Sequence, residues 1–439
     1  MTFEWLKAQP AAAPIDPRLV PGAYKYWRTR MLYGLFIGYA LFYLIRLSLS
    51  VATPALMLDL DLSKSEIGMF SSAFGLLYGF SKLVNGMLGD KANIRYFMAI
   101  GLMLASLACI FFGLSTAFWP LMIFWGFNAW FQGMGWPPCA RGLTQWFSTS
   151  ERGTFWGIWN ASHQVGGVII MIAAGFLVAN YGWRSAFIVP AVFTFLTGFY
   201  LINRLRDRPQ SLGLPSIEAF KNELTGDEDI EDAGHSLKKT LFKYVLSNPY
   251  IWAVAVGNFF VYVVRYGALT WAILYLMEVK GARITTASVK GAGFEAMGLV
   301  GAFSAGYLSD KFFKGRRGPV SAIYMVVLIP AILLFWLNPP GQPVLDFVGL
   351  GLVGFFVYGP QMLVGVSAAD LAGKHAAATA TGFTGWLGYF GQVFAGFGIG
   401  RIVDLYGWDG GFGVLTACAV LGFLCFAATW NAKPGNNTQ

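Results

Sequence analysis

Residues 33–53 form an apolar run that carries one charge, Arg46. The run can cross the hydrocarbon core of a bilayer as a helix, which takes about 20 residues. An arginine keeps its proton inside a protein. Within such a segment it turns toward a water-filled cavity or a partner. Similar runs recur along the chain, and twelve spans are expected, near 31–53, 66–88, 96–115, 119–145, 155–179, 184–203, 250–277, 287–309, 320–338, 345–370, 376–400 and 409–430. The short alternating segments of a β-barrel are not found. The expected fold is an all-α polytopic membrane protein.

Only 12% of the residues are charged, against about 25% in a soluble domain. The net charge of +9 does not point to nucleic acid, because the basic residues gather between spans, where they set orientation. Lys91, Arg95, Arg152, the cluster Arg204, Arg206 and Arg208, then Lys311, Lys314, Arg316, Arg317 and Lys374 mark one side. The opposite loops are sparser and mixed: Asp59, Asp61 and Lys64; Glu278, Lys280 and Arg283; Arg401 and Asp404. The first side is expected to be cytoplasmic, together with both termini. The expected organisation is a cytoplasmic segment 1–30, a six-helix bundle 31–203, a cytoplasmic linker 204–248, a second bundle 249–430 and a tail 431–439. Residues 1–30 show no cleavable signal pattern. The acidic run Asp227, Glu228, Asp229, Glu231 and Asp232 reads as a solvated loop surface. Cys109, Cys139, Cys418 and Cys425 have neither paired nor ligand spacing and read as small hydrophobes.

The two halves repeat one another. Gly86-Met-Leu-Gly-Asp-Lys91 matches Gly306-Tyr-Leu-Ser-Asp-Lys311, and Tyr181-Gly-Trp-Arg184 matches Tyr406-Gly-Trp-Asp409. Trp136-Pro-Pro138 matches Tyr358-Gly-Pro360, and Arg46 has its counterpart in Arg265. Twelve helices in two pseudo-symmetric bundles that rock about a central cavity are therefore expected.

Two arginines at matched depth repel unless an anion lies between them, and guanidinium forks suit phosphate oxygens. The competing reading pairs each arginine with a protein carboxylate. Glu295 is the clearest carboxylate within a span, and Asp370 lies near a span end. Lys82 shares a helix face with Tyr78 and Asn85 and either faces the cavity or snorkels. His163 is the only histidine expected inside a span, and Asn160 shares its face; it could donate to an anion. Tyr39 and Tyr43 lie on the Arg46 face, with Tyr262, Tyr266 and Tyr389 as weaker candidates. Asp90, Lys91, Arg95, Asp310 and Lys311 read as gating groups at span ends rather than ligands. No catalytic residue, metal site or cofactor site is expected. The chain lacks a phosphate-binding lysine loop and paired histidine or cysteine spacings, so a gradient or an exchange would have to drive transport.

These residues resemble the major facilitator superfamily, and within it the organophosphate:phosphate antiporters. The resemblance rests on Gly38 to Arg46, Ser81-Lys82, Arg141 to Trp146, Trp159 to Gly167, Tyr262-Val-Val-Arg265 and Phe356 to Met362. Lys25-Tyr-Trp-Arg28, Arg204 to Gln210, Leu212 to Pro215 and Lys243 to Trp252 are most similar to hexose-phosphate transporters and sensors of the UhpC type. The resemblance implies rocker-switch exchange of a hexose phosphate, glucose 6-phosphate in the first instance, for inorganic phosphate. It implies phosphate binding at Arg46 and Arg265, support from Lys82 and His163, and a central acidic residue at Glu295. It also implies a monomer in a bacterial inner membrane. Thr381–Gly400 lacks the Asp and Lys pair that UhpT-type transporters carry in span eleven, as do UhpC-like proteins. Two alternatives stay open. One is a sensor of external glucose 6-phosphate that signals through a kinase. The other is a transporter of glycerol 3-phosphate or another organic anion, with proton coupling.

Overall fold

The computed structural model describes residues 6–223, 241–372 and 376–432. Among these the secondary structure is helical, apart from an isolated antiparallel bridge between Lys7 and Ala92. In a bilayer a helix is favoured because it closes its own backbone hydrogen bonds. The helices are α1 (Val20–Leu44), α2 (Ser48–Leu60), α3 (Lys64–Lys91), α4 (Ile94–Leu114), α5 (Phe118–Gln132), α6 (Trp136–Trp146), α7 (Thr149–Asn160), α8 (Ser162–Tyr181) and α9 (Ser185–Arg204). After the short α10 (Ile217–Lys221) come α11 (Pro249–Glu278), α12 (Ile284–Phe313), α13 (Arg317–Leu337), α14 (Pro343–Ala372), α15 (Ala377–Val393) and α16 (Ile399–Ala427). Among the described residues, 9 helical stretches are long and apolar enough to cross a membrane. One of them, Thr379–Ala427, is longer than a single crossing and is broken at Gly407, where φ is 70°.

The chain divides into two compact units. Unit 1 comprises Met1–Ser48, Leu77–Ile170 and Trp183–Asp229, and unit 2 comprises Leu49–Leu76, Met171–Gly182 and Ile230–Gln439.

In unit 1, α4 packs against α5 and α9, and α1 packs against α6 and α9. Phe112 anchors its core, 5.2 Å from the Trp125 ring and 4.4 Å from Phe187. The Ser106 and Thr194 hydroxyls join α4 to α9 at 2.7 Å. Helix starts carry their own caps: the Asn93 side chain accepts from the Arg95 amide at 3.1 Å, and Ser148 with Glu151 forms a capping box. The beginning of the expected linker is folded onto this unit. Asp207 is fully buried and accepts from the amides of Gln9 (3.0 Å) and Ile94 (3.2 Å), with Arg141 Nη2 at 3.3 Å. A buried carboxylate requires such donors, so Asp207 pins the N-terminal arm and the post-α9 segment to the start of α4. The acidic run 227–232 lies outside the described residues.

In unit 2, α12 packs against α14, α11 against α15 and α16, and α13 against α14 and α16. The tight α12–α14 contact depends on small residues: a Cβ at Gly298 would overlap the Tyr358 ring, and one at Gly354 would overlap the Phe294 carbonyl. Residues from α3 also belong to this unit. Lys64 Nζ lies 3.2 Å from Glu278, the Ser65 amide donates to Asp404 at 2.8 Å, and Trp408 Nε1 donates to Glu278 at 2.9 Å. The Phe397 amide donates to Ser72 Oγ at 2.8 Å. These contacts clasp the start of α3 to the ends of α11 and α15–α16.

Candidate functional site

Arg46 sits where the first span stops being helical. α1 ends at Leu44 and α2 begins at Ser48, with Ile45 at φ −94° and ψ 2°. A break inside a membrane span exposes carbonyls, and each one left without a partner costs on the order of several kcal/mol. Two buried amides of α5 supply the partners: Asn128 Nδ2 donates to the Ile45 carbonyl at 3.0 Å, and Gln132 Nε2 donates to the Phe42 carbonyl at 2.9 Å. They lie four residues apart, on one face of α5.

Arg46 is 6% exposed, and its guanidinium faces aromatic rings. It lies 4.6 Å from the Tyr78 ring and 5.3 Å from the Tyr43 ring, where the aromatic quadrupoles attract it. The Tyr43 ring is 5.3 Å from His163 and 5.8 Å from Tyr39, and Tyr39 is 4.8 Å from Trp159. His163 Nδ1 donates to the Asn160 carbonyl at 2.5 Å. A carbonyl only accepts, so this bond fixes the proton on Nδ1. Close helix approach places His163 here: a Cβ at Gly166 would overlap the Ala40 carbonyl of α1. Lys82 is half-buried, with its ammonium 4.6 Å from the Trp136 ring. Trp136 continues through Trp156 (6.1 Å) to Trp159 (5.7 Å). Unit 1 thus gathers Arg46, Tyr39, Tyr43, Asn160 and His163 into one cluster, with Lys82 joined to it by an aromatic ladder.

Arg265 lies within α11, which runs unbroken past it, and is 2% exposed. Its Nη1 donates to Tyr266 OH at 3.2 Å and its Nη2 to Tyr358 OH at 3.1 Å. Tyr358 OH lies 2.8 Å from each Glu295 carboxylate oxygen and donates to the carboxylate. The arginine and the fully buried carboxylate are therefore coupled through one neutral phenol. Tyr262 stands 5.4 Å from Tyr266 and 5.5 Å from Tyr389, so it carries the tyrosine series to Tyr389. Unit 2 brings Arg265, Tyr266, Glu295 and Tyr389 together in this way.

Sequence reasoning passed over Tyr358 and Trp136 as site residues and placed Tyr78 only on the Lys82 face, not beside Arg46. Trp136 and Tyr358 head matched repeat segments, and each lies beside a cation, Lys82 or Arg265. That coincidence was the available signal. Also missed was a buried ion pair: Lys290 Nζ lies 2.7 Å from Asp346, which accepts from Asn338 Nδ2 at 2.9 Å. Lys290 is on α12, one and a half turns before Glu295.

Among the expected gating residues, the side chain of Asp90 lies outside the described residues, and Lys91 is exposed. Arg95 Nε donates to the Ile202 carbonyl. Asp310 pairs with Arg317 at 2.5 Å, and Lys311 Nζ donates to Tyr307 OH at 2.5 Å.

Residues 35–396 match the profile of the Major Facilitator Superfamily. The chain is 45% identical to a probable hexose phosphate transport protein of Chlamydia trachomatis, over 95% of this chain and 94% of that protein. It is 40% identical to the membrane sensor protein UhpC of Escherichia coli, over 98% of both chains. In shape it is similar to the crystal structure of a bacterial homolog of the human lysosomal transporter Spinster, in an inward-facing, unoccupied conformation. The TM-score is 0.74 at 19% identity, over 92% of this chain and 97% of that one. The chain belongs to the Major Facilitator Superfamily, in its organophosphate:phosphate antiporter family, and is a multi-pass secondary active transporter of a bacterial inner membrane rather than an enzyme.

Proposed function

We propose that this transporter exchanges a hexose phosphate for inorganic phosphate by rocker-switch alternating access. It would do so with twelve helices in two pseudo-symmetric bundles and both termini in the cytoplasm. The observation that carries the reading is the pair of buried arginines at repeated positions, each held among tyrosines. A phosphate monoester bears up to two charges near neutral pH, and its oxygens suit a guanidinium fork. Tyr39, Tyr43, Asn160, His163 and Lys82 serve Arg46. Tyr266, Tyr389 and Glu295 serve Arg265, with Tyr358 added by its bonds. A phosphate that engages Arg265 Nη2 competes with Tyr358 for it and so loosens the link to Glu295. Loading and the arrangement of α12 against α14 are thereby coupled. The 45% identical Chlamydia relative, named as a probable hexose phosphate transport protein, supports the substrate class.

The test is counterflow. Proteoliposomes loaded with inorganic phosphate should take up labelled glucose 6-phosphate, in competition with unlabelled glucose 6-phosphate more than with glycerol 3-phosphate. Uptake driven by a pH gradient and indifferent to internal phosphate would overturn exchange. A second reading is favoured by the UhpC relative and by the uncharged stretch Thr381–Gly400: a receptor for external glucose 6-phosphate that signals through a membrane kinase. Tight glucose 6-phosphate binding with no phosphate counterflow would select that reading.

A further inference from the structure

Four arginines meet at one end of unit 1, apart from the residues assigned to substrate. Arg30 lies at the start of the apolar run of α1, Arg95 at the start of α4, Arg204 at the end of α9, and Arg206 just beyond it. These are the ends of neighbouring spans, where the bilayer gives way to water. Aromatic rings flank every member. Arg30 lies 5.0 Å from the Tyr26 ring and 4.9 Å from Trp27, and Arg206 lies 4.6 Å from Trp27. Arg204 is 5.1 Å from Tyr200, and Arg95 is 5.0 Å from Tyr96.

The structural role of these side chains is plain. Arg30 Nη2 donates to the Asn203 carbonyl at 3.1 Å, Arg206 Nη1 donates to it at 3.0 Å, and Arg95 Nε donates to Ile202. They cap the C-terminus of α9. A helix terminus, however, presents only about half a negative charge, and the guanidinium groups of Arg30, Arg95 and Arg206 converge on this one, with Arg204 on its last turn. Among the described residues no carboxylate lies within ion-pair distance of any of the four. Burial, and then the neighbouring charges of Arg95 and Arg30, pull the Arg206 pKa below its ordinary value. The cluster therefore carries a surplus of positive charge that favours an anion.

A second observation identifies the anion. One face of α9 leads up to the arginines and is both apolar and uncovered: Val189, Val192, Phe193, Leu196 and Phe199 are all exposed, at helical spacing. A free phosphate, or the acidic run of the linker, would use the arginines but not this face. A phospholipid uses both. We infer that Arg30, Arg95, Arg204 and Arg206, with the outer face of α9, form a binding site for an anionic phospholipid, its phosphodiester on the guanidinium groups and its acyl chains along α9.

The test uses the full-length protein in neutral detergent and reads its thermal unfolding. Phosphatidylglycerol should raise the midpoint by about 3 °C more than phosphatidylcholine, and R30Q/R206Q should remove that difference. Equal shifts from the two lipids, or a difference that survives R30Q/R206Q, would overturn the site. Inorganic phosphate forms a separate arm. A phosphate shift lost in R30Q/R206Q while the lipid shift remains would make the ligand free phosphate and overturn the assignment. So would a lipid shift absent from the wild type and present only after Asp227, Glu228, Asp229, Glu231 and Asp232 are neutralised, because the linker would then be the occupant. If the double variant does not fold, native mass spectrometry of the wild type and R206Q from mixed nanodiscs decides. The wild type should retain phosphatidylglycerol preferentially, R206Q should retain it less, and retention without headgroup preference would sink the idea.

Discussion

Arg46 and Arg265 occupy matched positions in a repeated sequence, and the chain holds them by different means. Arg46 sits on a break between α1 and α2 whose carbonyls are satisfied by Asn128 and Gln132, with its guanidinium against the Tyr78 and Tyr43 rings. Arg265 projects from an unbroken helix and is coupled by hydrogen bonds through Tyr358 to the buried Glu295. No acidic residue occurs in the sequence between Asp16 and Asp59, or between Glu151 and Asp207. Arg46 lies against the Tyr78 and Tyr43 rings, with His163 beside Tyr43, while Arg265 is linked through Tyr358 to a carboxylate. A repeated fold tolerates this divergence because a cation can be held either by ring quadrupoles or by a relayed charge. The first arrangement sets the guanidinium against ring faces. The second makes the ligand compete with Tyr358.

The strongest test of this comparison is charge retention without fork geometry. Arg46→Lys and Arg265→Lys should each lower phosphate counterflow by about 100-fold or more, because lysine keeps the charge and loses the bidentate contact. Near-normal exchange in both would remove the phosphate role. Next in size is Tyr358→Phe, which deletes the hydrogen bonds of a neutral phenol to two charged groups, each worth about 1.5–3 kcal/mol. It should change the half-saturating phosphate concentration by about tenfold or more, whereas Tyr43→Phe, which keeps its ring, should change it less. Equal effects would show that the two cradles work alike. Asn128→Ala should expose the Ile45 carbonyl at a cost of about 1–3 kcal/mol, read as a lower unfolding midpoint that Gln132→Ala deepens. An unchanged midpoint would mean that the break does not depend on α5. The smallest effect is at Tyr78. Tyr78→Phe should be close to neutral, and Tyr78→Leu should weaken phosphate binding a few-fold, in line with a ring contact of about 0.5–2 kcal/mol.

Much of this was legible in the residues. Apolar runs of bilayer length, basic clusters between them, and the repeat that pairs Arg46 with Arg265 all follow from side-chain chemistry and spacing. The break at 45–47 was not legible locally, since Ile45, Arg46 and Leu47 include neither proline nor glycine. Its trace lay elsewhere, in two amides spaced by one turn in the otherwise apolar α5. Asp346 stood at the edge of a run, where a charge passes for a loop residue. Only the fold sets it against Lys290. Asp207 looked like one charge among several in a polar stretch, and its burial depends on Gln9 and Ile94, both distant in sequence. In each case the decisive neighbour belongs to another element, and periodicity within one segment cannot show it.

The turn at Arg46 also has a thiol beside it. Cys109 Sγ, fully buried on α4, lies 3.6 Å from the Ile45 carbonyl that Asn128 holds. The molecule therefore carries a native chemical reporter at the point where its first span bends. A small membrane-permeant alkylating reagent should label Cys109 slowly while the turn is closed, and faster whenever substrate or mutation opens it. The time course of that labelling would follow the bend in the working transporter, without any added probe.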